Sequence, residues 1–88
     1  MPVSCRLRIL LARLNLELAQ KGQAPISLRR LADESGVSLS VIVALHRGRS
    51  QRVDFATLDR LLTFFNHFFP VSMNDLLEWE EDPIVAAV

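Results

Sequence analysis

Apolar residues recur at helical spacing along most of the chain, and polar capping residues punctuate the runs. Leu7, Leu10, Leu11, Leu14 and Leu18 form one stripe of a first helix that Ser4 is placed to cap. That helix runs to about residue 20, where Gly22 and Pro25 follow. Cys5, Ile9, Ala12, Leu16 and Ala19 form a second stripe on nearly the opposite face. A surface helix of a small domain needs only one apolar stripe. The second is covered either by another copy of the chain or by a later segment of the same chain.

Ser27 heads a second helix over residues 28 to about 34. Ser35, Gly36 and Val37 make a turn, with Gly36 suited to the left-handed backbone that ends a helix. Ser38 heads a third helix over residues 39 to about 46, stopped by Gly48. A polar loop leads to Asp54, which heads a fourth helix reaching about residue 68. Phe55, Leu58, Leu61, Leu62, Phe65 and Phe68 give that helix a broad apolar face, and Pro70 follows it. Ser72 with Asp75 three residues later has the spacing of a capping box and starts a fifth helix, MNDLLEWE. The tail is acidic and then apolar. Strand-like alternation is absent, except for a weak case at residues 84–88. The pattern predicts an all-α fold of five helices, with a single domain over residues 1–83 and a short apolar tail at 84–88.

The second and third helices carry the functional signal. Two helices that cross steeply at a tight turn need a small residue where their backbones approach, and Ala32 supplies it. Val37, Ile42 and Leu45 would then face inward with Leu28 and Leu31, and Leu39, Ser40, Val41, Val43, Ala44 and Arg47 would face out. This is the layout of a DNA-binding helix-turn-helix over about residues 28–48.

Charge sharpens that picture. The 88 residues carry no net charge, but residues 1–53 hold nine Lys/Arg against three acids, a net +6. Residues 54–88 hold one base against seven acids, a net −6. A basic end able to approach phosphates, with an acidic end pointing away, is the expected arrangement. Half the residues are hydrophobic, which is enough for a core without disulfides or metal. The single cysteine, Cys5, fits a reduced compartment and reads as a packed thiol. Arginines and Glu17 interrupt the apolar start, so neither a signal peptide nor a membrane span is expected. The expected setting is cytoplasmic, bacterial nucleoid-associated or phage-encoded.

No constellation supports catalysis. His46 and His67 stand 21 positions apart without metal-ligand spacing, and no Gly-rich phosphate loop is present. His46 reads as a capping or phosphate-facing residue, and His67 as a surface residue. The acidic run Glu78, Glu80, Glu81 and Asp82 reads as a solvated face. Phe64, Phe65, Phe68 and Phe69 read as core, with Phe69 also available to a dimer contact beside Trp79. No cofactor, metal or enzymatic activity is expected.

Three segments, SLRRLADESGVSLSVIVALHRG, RVDFATLDRLLTFF and NDLLEWEEDP, carry a family resemblance over residues 27–83. In their order and spacing the sequence resembles the Cro and phage-repressor class of helix-turn-helix regulators (Xre-like), above all its short single-domain branch. The resemblance implies a lambda-repressor-like five-helix domain that binds double-stranded operator DNA, usually as a homodimer. It places Ser38 and the start of the third helix at phosphate, and Arg29 on the DNA backbone. Leu39, Ser40, Val43 and Ala44 take the base-reading positions, while Arg47, Arg49 and Arg52 flank the groove. Cys5, Ile9, Ala12, Leu16, Phe69 and Trp79 are the candidates for a dimer interface.

Two departures matter. Leu28 stands where the family often has glutamine, and the third helix offers only Ser40 and Arg47 for hydrogen bonds to bases. Two readings follow. The domain binds DNA with modest direct readout, relying on arginines and DNA shape. Alternatively, the third helix is a protein-interaction face, as in an antitoxin or accessory subunit. The basic loop and the charge split favour the first.

Overall fold

A computed structural model describes residues 3–48 and 52–79. Strand β1 (Val3–Cys5) leads into helix α1 (Leu7–Gln20), followed by α2 (Leu28–Ser35), α3 (Leu39–His46), α4 (Phe55–Asn66) and α5 (Met73–Leu76), and then by strand β2 (Leu77–Trp79). Five helices around one core carry the fold, as expected. The expected tail at residues 84–88, with its strand-like alternation, and the acids Glu80, Glu81 and Asp82 lie outside the described residues.

Local chemistry starts most of the helices. The Ser27 hydroxyl accepts the Arg30 amide at 3.1 Å, a cap that contributes about 1 kcal/mol. The Asp54 carboxylate accepts the Thr57 amide at 2.8 Å. Hydrogen bonds from the Thr57 hydroxyl and then its amide hold the Asp54 carboxyl below the ordinary aspartate range. At α5, the Ser72 amide donates to the Asp75 carboxylate at 2.8 Å, as the capping-box spacing predicts. Gly36 ends α2 at φ +79°, a conformation that costs a residue bearing a Cβ about 1–2 kcal/mol.

Two expected caps differ. Ser4 lies in β1, so Arg6 occupies the N-cap position of α1 and offers no side-chain cap. Ser38 does occupy the N-cap position of α3, but its side chain accepts no amide of the helix. Its hydroxyl lies 3.4 Å from that of Ser40 instead.

The core joins Leu7, Leu10, Leu11, Leu14 and Leu18 of α1 to Leu31, Ala32, Val37, Ile42 and Leu45 of the two central helices. Leu58, Leu61, Phe64, Phe65, Phe69 and Leu76 close it from below. Ala32 is buried where α2 meets its neighbours, as the turn requires. Two asparagines tie down the connections. The Asn15 side chain donates to the Ile26 carbonyl at 3.2 Å and accepts the Ile26 amide at 2.7 Å, which locks the α1–α2 linker. Asn66 does the same for Val71, and also donates to the Leu62 carbonyl at 2.7 Å.

The aromatic face of α4 needs correcting. Phe55 is 87% exposed and Phe68 is 38% exposed, so neither belongs to the core. Phe69 is buried, in keeping with its reading as core. It packs beside Phe65 under the Arg13 guanidinium, which stands 4.3 Å from its ring centroid. Helix α4 ends at Asn66, two residues earlier than the periodicity predicts, though the Phe69 amide still bonds the Phe65 carbonyl at 3.1 Å. Phe69 therefore follows Leu61 and Phe65 at four-residue spacing on the buried face, and Phe68 falls to its edge.

The end of the described chain differs too. The run expected to continue α5 leaves the helix at Leu77, with φ −116° and ψ 136°. It then pairs antiparallel with β1 in the register Val3 to Trp79, Ser4 to Glu78 and Cys5 to Leu77. The Arg6 amide extends this ladder to the Leu76 carbonyl at 2.6 Å. Pairing partners more than seventy residues away leave no local periodicity to read. The ladder also brings acidic Glu78 to 3.8 Å from Arg6. The basic start and acidic end of the chain are therefore not held apart.

Candidate nucleic-acid interface

Helix α3 presents a narrow outer strip. Ile42 and Leu45 are buried, while Ser40 and Val41 are exposed. Val43 and Ala44 are half-buried. Leu39, expected on the outer side, is half-buried and packs against the core. The accessible part of the strip is thus Ser40 and Val41, with the edges of Val43 and Ala44 beside them. Only the Ser40 hydroxyl can exchange hydrogen bonds there.

The basic residues around this strip fall into two groups. Arg29 on α2 and Arg47 at the end of α3 are exposed and make no ion pair among the described residues. Arg52 is also exposed, and Arg49 lies outside the described residues. Arg30, Arg13 and Arg6, by contrast, are engaged with Glu34, Glu17 and Glu78 respectively. Arg29 and Arg47 thus carry positive charge without an ion pair among the described residues, and the second group is tied to surface carboxylates.

Arg60 has a structural role that sequence reasoning missed. Its guanidinium donates to the Gly36 carbonyl at 3.2 Å, across from α4 to the turn between α2 and α3. It satisfies a carbonyl at a helix end and fixes the turn against the scaffold. The available signal was compositional, since Arg60 is the one base among residues 54–88.

The dimer candidates separate cleanly. Ile9 is 53% and Leu16 is 61% exposed, Ala12 lies between them on the surface, and Trp79 is exposed at the end of β2. No described segment covers the Ile9–Ala12–Leu16 stripe. Cys5 is half-buried against the core, and burial pushes its thiol pKa up despite a partly offsetting Leu7 amide. It is a packed, protonated thiol. Phe69 is buried in the chain and presents little surface. His67 is exposed and His46 is half-buried. Among the described residues, no helix is long and apolar enough to cross a membrane.

A two-helix turn on a five-helix scaffold, with an exposed strip on α3 and two exposed arginines, Arg29 and Arg47, that make no ion pair among the described residues, fits a helix-turn-helix domain of the DNA-binding class. The family model for the Cro/C1-type HTH DNA-binding domain matches residues 6–82, and the chain belongs to this family. No curated protein and no solved structure shows a significant match to it.

Proposed function

We propose that the domain is a transcriptional regulator of Cro/repressor type that inserts α3 into the major groove. The carrying observation is the exposed Ser40–Val41 strip on α3, together with Arg29 and Arg47, two exposed arginines on the paired helices without an ion pair among the described residues. Phosphate contacts by Arg29, Arg47, Arg49 and Arg52 supply most of the affinity. Ser40 and the methyl groups of Val41, Val43 and Ala44 supply modest base discrimination. Such a protein binds many sequences with similar strength and selects among them partly through DNA shape. The apolar character of the same strip supports a second reading, an interaction module that keeps the fold without strong DNA binding.

Fluorescence anisotropy with genomic DNA fragments at two salt concentrations separates these readings. Affinity is expected to fall steeply with salt. Arg29→Ala and Arg47→Ala are each expected to weaken all sequences alike and to lower the salt slope by about one. Absence of binding at low salt would overturn the regulator reading in favour of the interaction module.

The active form is proposed to be a homodimer joined through the outer face of α1. Ile9 and Leu16 are large apolar side chains that the described chain leaves in water. Because both are exposed, the double variant Ile9→Lys, Leu16→Lys is expected to keep the helical circular dichroism spectrum of the parent, to lose the concentration dependence of its melting temperature and to sediment as a monomer. A variant that keeps the oligomeric state of the parent protein removes α1 as the interface.

A further inference from the structure

We propose that the cleft between the start of α1 and the end of α3 is a phosphate-binding site. The cleft has a volume of about 250 Å³, and Arg6, Arg8, His46 and Arg47 bring positive charge or protonatable nitrogen to its lining. Ser4 adds a hydroxyl at the rim, and Glu78 is the single carboxylate.

The charges in this cleft do not balance. Glu78 lies 3.8 Å from Arg6 and offsets that guanidinium. Arg8 and Arg47 are exposed and have no carboxylate partner among the described residues. A net charge of about +2 therefore converges on one cavity, before any proton on His46 is counted. Like charges held together in this way are unfavourable until an anion joins them. The Arg6 Nε atom is buried without a hydrogen-bond partner, since the Glu78 carboxylate is too distant to accept one. Helix α1 also begins without a side-chain cap, so the positive end of its dipole adds to the field at the cleft.

These features select the ligand. The cationic lining disfavours a metal ion, and Ile9, Cys5 and the aliphatic stems of the arginines supply apolar wall beside the charged groups. Guanidinium forks match a tetrahedral oxyanion, whose oxygens accept from several directions at once. The volume is several times the ~30 Å³ share of one water molecule, which leaves room for a phosphate ester with part of its attached group. The phosphate has two possible sources. One is a DNA backbone phosphodiester, which would extend the footprint from α3 onto Arg8 and rests on the regulator reading. The other is a free phosphate compound, which does not.

Nuclear magnetic resonance of the full chain tests the site without DNA. Inorganic phosphate is titrated against sodium chloride of matched ionic strength, with His67, which does not line the cleft, as an internal control. Saturable shifts at the His46 ring and the Arg47 amide are expected, with His67 unmoved. Arg8→Gln, at an exposed position, is expected to retain the fold by circular dichroism and to weaken phosphate binding by about tenfold. Shifts that chloride reproduces, or that Arg8→Gln leaves unaltered, would overturn the proposal. The DNA salt slope then identifies the source. A slope lowered by about one in Arg8→Gln assigns the cleft to a backbone phosphate, and an unchanged slope, with phosphate titration saturable in the parent and weakened in Arg8→Gln, assigns it to a free compound. Saturable phosphate binding by a protein with no DNA affinity would sink the regulator reading and leave the cleft standing.

Discussion

Truncating Phe65 to alanine is expected to remove about 3–5 kcal/mol of folding stability. Phe65 is fully buried in the last turn of α4. It stands edge-on to Phe64, with ring centroids 5.4 Å apart at 84°, and beside Phe69 at 6.3 Å. Alanine removes the buried ring and leaves a cavity that fixed helix ends cannot easily close. The α4 start is held by Asp54 and its end by Asn66, so collapse is restrained on both sides. A domain of this size has total stability near the lower end of the usual ~5–15 kcal/mol. The variant should therefore melt on the order of 20 °C lower, as followed by circular dichroism. Phe65→Leu, which keeps most of the volume, should lose less than about 1.5 kcal/mol. A loss below about 1 kcal/mol for the alanine variant would mean that Phe65 is not the centre of the core.

Placing a carboxylate on α3 should separate binding from folding. Ser40 lies in the first turn of α3 and is exposed. Glutamate near a helix N-terminus meets the positive end of the dipole, which favours the fold by about 0.3–1 kcal/mol. The same carboxylate in a groove lined by phosphates is repelled at a cost of several kcal/mol, on the order of 10²–10³ in affinity. Ser40→Glu is thus expected to melt at or above the parent temperature while losing DNA binding. Ser40→Lys should bind more tightly and with a steeper salt dependence. Parent-like affinity in Ser40→Glu would mean that α3 does not enter the groove, whatever the arginines do.

Much of the fold is legible from short-range chemistry. The Ser27 and Asp54 caps, the left-handed Gly36 and the Ser72–Asp75 pair each act within four residues, so their spacing is visible in the chain. The leucine stripe of α1 lies on the core as its periodicity predicts. The aromatic segment was harder to read. Phe64, Phe65, Phe68 and Phe69 offer two overlapping helical phases, and packing against the core selects the one that carries Leu61, Phe65 and Phe69. Asn66 then bonds the Val71 backbone, a contact that periodicity does not encode.

The candidate interface shows the same division. Ala32, Gly36, Val37, Ile42 and Leu45 identify the helix-turn-helix through size and spacing alone. Leu39 was misplaced on the outer side, because it belongs to the first turn of a short helix whose tilt against the core is a tertiary property. Local spacing also cannot show that Arg29 and Arg47 stay unpaired while Arg30 is taken by Glu34.

By itself, the order of residues determined the five helices, the turn between the second and third, and the family to which the chain belongs, since each rests on interactions within a turn or two. Only the tertiary structure decided how the chain's two ends meet. The pairing of Val3–Cys5 with Leu77–Trp79, the Arg60 bond to Gly36 and the cleft that gathers Arg8, His46 and Arg47 all join residues distant in sequence. Such contacts form because the core brings their backbones together, and no property of either partner segment announces the other.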